Sequence, residues 1–172
     1  MKCFTSSECS EWLRERAIAE APYSQDRAAE AYCFQFEPPT KPSRLTAFTR
    51  ALFDAFGDFP GALLVFTDWP LYHPDEMALI DSLRRGHGEH RPLIDAPGHL
   101  FTPAEQAEAI GYSYLAVTFG WSAYLHLAPG AATVFFWEGD LIDFWSADEK
   151  LMQTVRGVIQ TYELRLTSDH VA

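Results

Sequence analysis

The sequence predicts an α+β fold: a layered sandwich built on a mixed sheet, with a C-terminal antiparallel three-strand meander flanked by helices. Helical and strand-like patterns alternate along the early part of the chain, as layered folds require. The apolar runs SAYLHLA, TVFFWE and LIDFWS then follow one another with only tight turns, at PG and GD, between them. A chain of 172 residues that is 48% hydrophobic and 15% aromatic can bury one sizeable core, so a single domain over 1–172 is expected.

Taken in order, SECSEWLRERAIAEAP sets Cys9, Trp12, Leu13 and Ala17 near helical spacing and stops at Pro22, and AYCFQFE alternates like a strand. EPPTKPS is a short connection. Ser43 can cap a helix with Leu45, Phe48, Leu52 and Phe56 on one stripe and Gly57 at its end. GALLVFTDW has the continuous apolar character of a buried strand. HPDEMALIDSLRRGHG reads as a helix with Pro74 in its first turn, Asp75 and Glu76 at its positive end, and Arg84 and Arg85 at its negative end.

TPAEQAEAIGYSYLAVTFG carries Thr102 and Glu105 at capping-box spacing, Pro103 at the first position, an inward face of Ala107, Ile110, Tyr114 and Val117, and Gly120 as the stop. After the meander, Ser146 and Glu149 offer a second capping box to a closing helix with Leu151, Val155, Ile159 and Tyr162 inward. Residues 165–172 read as a loose tail.

Thirteen basic residues face 24 acidic ones, a formal charge of -11. Such a field repels phosphate backbones and anionic membranes, which argues against nucleic acid or a membrane as a direct partner, and it steers a basic protein inward. No apolar stretch approaches the roughly 18 residues of a spanning helix, and MKCFTSSECSEW lacks a secretory apolar run; a cytoplasmic protein is expected. Cys3, Cys9 and Cys33 form no Cys-x-x-Cys pair and read as reduced thiols.

The charge is least expected in WEGDLIDFW, residues 137–145, where carboxylates interrupt two runs of large apolar side chains. With Gly139 and Asp140 as a two-residue turn, one hairpin face holds Phe135, Trp137, Ile142 and Phe144, and is the core side. The other holds Val134, Phe136, Glu138, Leu141, Asp143 and Trp145, to which the preceding strand adds Tyr124 and His126. A three-residue turn would move Asp143 to the Phe135 side. Aromatic anchors beside charged groups are what protein-binding surfaces use, so the candidate contact set is Tyr124, His126, Glu138, Asp140, Asp143, Trp145, Asp148 and Glu149.

Two further clusters carry side chains capable of chemistry. His87, Glu89, His90, Asp95 and His99 carry metal-ligating side chains, but their spacing matches no helix-borne ligand pattern, and no metal or cofactor is expected. Asp68, Tyr72, His73 and Asp75 lie just past a buried strand, where sites of layered proteins collect, and Asp68, His73 and His99 form the candidate set for an enzyme of unknown reaction. No Gly-x-Ser-x-Gly elbow, dinucleotide fingerprint or phosphate loop supports a specific chemistry.

From LVFTDWP through LRRGHGEHRPLIDAPGHLF to FGW, residues 64–121, the chain resembles a group of uncharacterised bacterial proteins. That resemblance implies a bacterial cytosolic origin and carries no site residues with it. In charge and build the chain is also similar in general character to bacterial toxin-immunity proteins. The leading expectation is therefore a non-enzymatic inhibitor of a basic toxin, with the enzyme and a homodimeric module as alternatives.

Overall fold

The computed structural model describes residues 1–20, 32–71 and 73–170. The elements run β1 (Lys2–Phe4), α1 (Ser6–Glu15), β2 (Tyr32–Phe36), α2 (Pro42–Ala55), β3 (Ala62–Asp68), α3 (Pro74–Gly86), β4 (Gly98–Phe101), a 3-10 turn (Pro103–Glu105) leading into α4 (Gln106–Thr118), β5 (Ser122–Leu127), β6 (Thr133–Trp137), β7 (Leu141–Ser146), α5 (Glu149–Thr161) and β8 (Leu166–His170). The strands make one sheet in the order β1-β4-β3-β5-β6-β7-β2-β8. The α+β sandwich and its β5-β6-β7 meander stand as expected. Every described strand pairing is antiparallel, so the sheet lacks the parallel pairs of a mixed one. The reason is visible at β3 and β4: α3 and the loop after it return the chain to the near end of β3, so the strands pair head to tail.

Local rules place the helices. Thr102 and Glu105 form the expected capping box, and Pro74 begins α3 with Asp75 and Glu76 in its first turn. Two caps differ from expectation. α2 begins at Pro42 with Lys41 at its cap and no side-chain cap bond, so Ser43 lies inside the first turn. At α5 Asp148, not Ser146, accepts the amides of Lys150 and Leu151, while Ser146 Oγ donates to the Ala131 carbonyl and accepts the Asp148 amide. On α4 the buried face is Ala109, Tyr112, Ala116 and Val117; Ala107 is exposed and Ile110 and Tyr114 are half-buried, because the helix packs between the sheet and α2 rather than along one surface. Residues 166–170, expected to be loose, pair with β2 as an edge strand. The predicted stop at Pro22 lies outside the described residues, and α1 already ends at Glu15, with Ala17 at φ 53°.

One sheet face carries the main core. Phe34, Phe36, Leu64, Phe66, Leu125, Val134, Phe136, Ile142 and Phe144 meet Leu45, Phe48 and Leu52 of α2, Tyr112 and Ala116 of α4, and Val155 and Ile159 of α5. At roughly 25 cal/mol per Å² of apolar surface removed from water, this layer dominates stability. The opposite face is partly covered by α1, whose Cys9, Trp12 and Leu13 pack on Phe4 and Leu63. Gly98 makes that contact possible: a Cβ there would lie 2.2 Å from Cys9 Sγ.

The hairpin register overturns the expected division of faces. Trp137 pairs with Leu141, Phe135 with Asp143 and Thr133 with Trp145, so the turn has three residues, Glu138, Gly139 and Asp140. Val134, Phe136, Ile142 and Phe144 go to the core, and Phe135, Trp137, Asp143 and Trp145 share the other face. Both alternations of VFFW are apolar, so the pattern along β6 cannot choose between them. The choice is made by β5, whose Ala123 and Leu125 face the helices and pair with Phe136 and Val134.

Candidate functional site

The expected contact set divides sharply. Tyr124, Phe135 and Trp145 form a buried cluster, with the Tyr124 and Phe135 rings stacked at 4.2 Å. His126 is buried with its Nδ1 3.2 Å from Thr133 Oγ1, and desolvation lowers its pKa to about 4. Asp143 is 0% exposed and accepts a hydrogen bond from Gln35 Nε2 at 2.8 Å. These four residues, Tyr124, His126, Asp143 and Trp145, therefore build the interior and do not present a contact face. A buried carboxylate needs such partners, since an uncompensated one costs several kcal/mol.

Asp148 and Glu149 are exposed, but Asp148 caps α5 and Glu149 sits in its first turn. The positive end of that helix accounts for both charges. Glu138 and Asp140 remain. Both are exposed, and neither makes an ion pair or side-chain hydrogen bond with a described residue.

Their surroundings make that charge costly to the fold. The turn presses against the C-terminal end of α4: a Cβ on Gly139 would lie 2.6 Å from the Val117 carbonyl oxygen and 3.1 Å from Gly120 Cα. Gly139 has φ 77°, and Glu138 itself adopts φ 50°, a conformation that costs a non-glycine residue about 1 kcal/mol. The carboxylates thus stand beside the negative end of a helix, where a cation would be favoured.

A cavity of about 390 Å³ opens at this point. The turn supplies Glu138 and Asp140, α4 supplies its end with Phe119, and the start of α3 supplies His73 and Glu76. Glu76 is 4% exposed, and its Oε2 has no hydrogen-bond partner among the described residues. Among the described residues, the lining holds three carboxylates and one imidazole but no lysine or arginine. In the sequence the helix dipole suffices to explain Glu76; an acid in a first helical turn carries no sign that it will be buried beside two others.

The alternative catalytic set is not assembled here. His73 lines this cavity, and neither Asp68 nor His99 does. His99 is wholly buried between the Phe66 and Tyr112 rings, with Nδ1 3.1 Å from the Pro97 carbonyl oxygen; burial, aided by the charge of Arg84, drives its pKa to about 3. Arg84 is itself buried and donates to the Ala96 carbonyl at 3.0 Å, tying the end of α3 to the loop before β4. Asp68 is exposed at the end of β3, and Tyr72 lies outside the described residues.

Of the histidine-rich segment, Glu89 is committed to Arg91 at 2.6 Å, which holds its carboxyl at about 2. His87 instead meets Glu105 and Glu108, with ligand atoms mutually within 4.8 Å. The Met1 nitrogen contacts Glu105 and lies 3.4 Å from His87 Nδ1. Beside them, Leu79, Leu83, Tyr114 and Leu115 line an apolar groove of about 450 Å³. No described helix is long and apolar enough to cross a membrane. Comparison of the chain with protein-family models, curated proteins and solved structures finds no match.

Proposed function

We propose that this is a non-enzymatic binding protein that captures a basic protein partner at the turn between β6 and β7, in its most concrete form an immunity-type inhibitor that covers a basic toxin. The observation that carries this reading is the pair Glu138 and Asp140, exposed beside the negative end of α4 with no compensating cation among the described residues. Charge placed where it opposes folding is retained for another reason, and a cationic partner supplies one. The formal charge of -11 would speed the encounter, and the half-exposed Trp137 next to the turn offers an aromatic anchor.

The test is co-expression with the product of the neighbouring coding sequence, which this reading expects to be a toxin. The wild-type chain should protect growth, and Glu138→Lys with Asp140→Lys should abolish protection while leaving the thermal midpoint near its original value. Full protection by the charge-reversed variant would overturn the reading.

A further inference from the structure

Resting on that binding reading, we infer that the cavity between the turn, the end of α4 and the start of α3 is a receptor for a guanidinium group, supplied by an arginine side chain of the partner protein. The cavity has the charge of a cation site, and its geometry selects the kind of cation. Glu138 and Asp140 stand at its exposed edge, and Glu76 lies within it, nine-tenths buried with an oxygen that no described group satisfies. A buried carboxylate oxygen without a donor is costly; Glu76 lines the cavity while its Oε2 lies sealed in the wall, so a guanidinium reaching this carboxylate, with a rotation of the group toward it, would supply the missing donor.

The acids are not gathered around a point. Among the described residues, the cluster with three ligand atoms inside 4.8 Å is His87, Glu105 and Glu108, and the cavity acids form no such set. A compact ion would therefore reach too few of them at once. A guanidinium is planar and presents five N–H donors over a fork, so it can meet separated carboxylates simultaneously. It is also weakly hydrated and stacks on aromatic faces, which suits a cavity lined in part by Phe119. An ammonium is a strongly hydrated point charge and gains less from this arrangement.

The cavity's position favours a side chain over a free small molecule. Glu138 and Asp140 are exposed at its edge, and Trp137, 42% exposed, adjoins them in the chain. An arginine entering from a protein surface would fill the cavity while the surrounding backbone covered Trp137. A free guanidino compound would use the cavity and leave the exposed part of Trp137 uncovered.

The experiment compares poly-L-arginine with poly-L-lysine of equal length at physiological salt, on the wild-type full-length chain, Glu76→Gln, Asp140→Asn and the double variant Glu138→Gln with Asp140→Asn, with agmatine as the free-guanidine probe. Poly-L-arginine should bind more tightly than poly-L-lysine. Loss of one charge-assisted contact in Glu76→Gln should weaken it about tenfold, and more than it weakens poly-L-lysine. Asp140→Asn keeps the comparison open if Glu76→Gln folds poorly, and should show the same selective loss.

Equal binding of both polymers, reduced by the double variant but untouched by Glu76→Gln, would overturn the guanidinium receptor and leave the binding reading standing. Polymer binding that ignores the double variant would overturn both. Agmatine binding as tightly as an arginine-containing tripeptide, Ac-Gly-Arg-Gly-amide, would overturn the protein side chain as the occupant.

Discussion

The two ends of one hairpin treat negative charge in opposite ways. In its body, Asp143 is sealed beside Phe135 and Trp145 and held by Gln35 from the neighbouring strand, so the carboxylate belongs to the architecture. At its tip, Glu138 and Asp140 face solvent around a cavity that already contains the buried Glu76. The body satisfies its charge internally, and the tip accumulates charge against a helix end that repels it. Nearness in sequence therefore says little about role: Asp140 and Asp143 differ because one lies in a turn docked on α4 and the other in a paired strand.

The largest expected effect concerns the buried side of that contrast. His99 and His126 are held neutral by burial, with folded pKa values near 3 and 4 against an unfolded value of 6.5. A base whose folded pKa is depressed binds fewer protons folded than unfolded, so stability falls as pH drops below about 6.5. Both contribute down to about 4, and His99 alone to about 3, at roughly 1.4 kcal/mol per proton per pH unit. Denaturant titrations between pH 7 and pH 4.5 should show this slope, and His126→Leu should reduce it by about one proton. A flat profile would mean that these imidazoles are not desolvated.

Asp143→Ala strips the acceptor from Gln35 Nε2 and should cost about 2–4 kcal/mol, read as a lowered chemical-denaturation midpoint. A loss below the error of that measurement would erase the distinction between body and tip. Gly139→Ala is intermediate. Its Cβ would meet the Val117 carbonyl, and its φ of 77° disfavours alanine, so a loss of about 1–2 kcal/mol is expected together with weakened partner capture as the turn shifts.

The smallest effect has the opposite sign. Glu138→Gln with Asp140→Asn removes repulsion from the α4 terminus and should leave stability unchanged or raise it by roughly 0.3–1 kcal/mol while reducing capture. Destabilisation comparable to Asp143→Ala would show that the tip carboxylates serve the fold.

Much of the local structure was legible in the chain. The Thr102–Glu105 box, the proline start of α3 and the buried Leu45, Phe48 and Leu52 of α2 and Val155 and Ile159 of α5 follow from interactions within one or two turns, and they appear where the spacing puts them, while Phe56, Leu151 and Tyr162 are only half-buried. The α4 stripe was misread because Ile110 and Tyr114 are as apolar as Tyr112 and Ala116, and periodicity cannot rank faces that are apolar all round. In the candidate site, the acidic turn stood out as an anomaly, and its charges at Glu138 and Asp140 are the ones left unexplained by caps or pairing.

Residue types and short-range spacing were enough to specify the Thr102–Glu105 box, helix positions, the meander and the excess of acid, but not the caps of α2 and α5, which fall on Lys41 and Asp148. The hairpin register, the burial of Asp143 and the assembly of the cavity came from packing. β6 is apolar on both faces, so its register waits on the fit of β5 against the helices. The cavity joins residues 73–76, 117–120 and 138–140, segments that no local pattern connects and that meet because Gly139 lets the turn close on the end of α4.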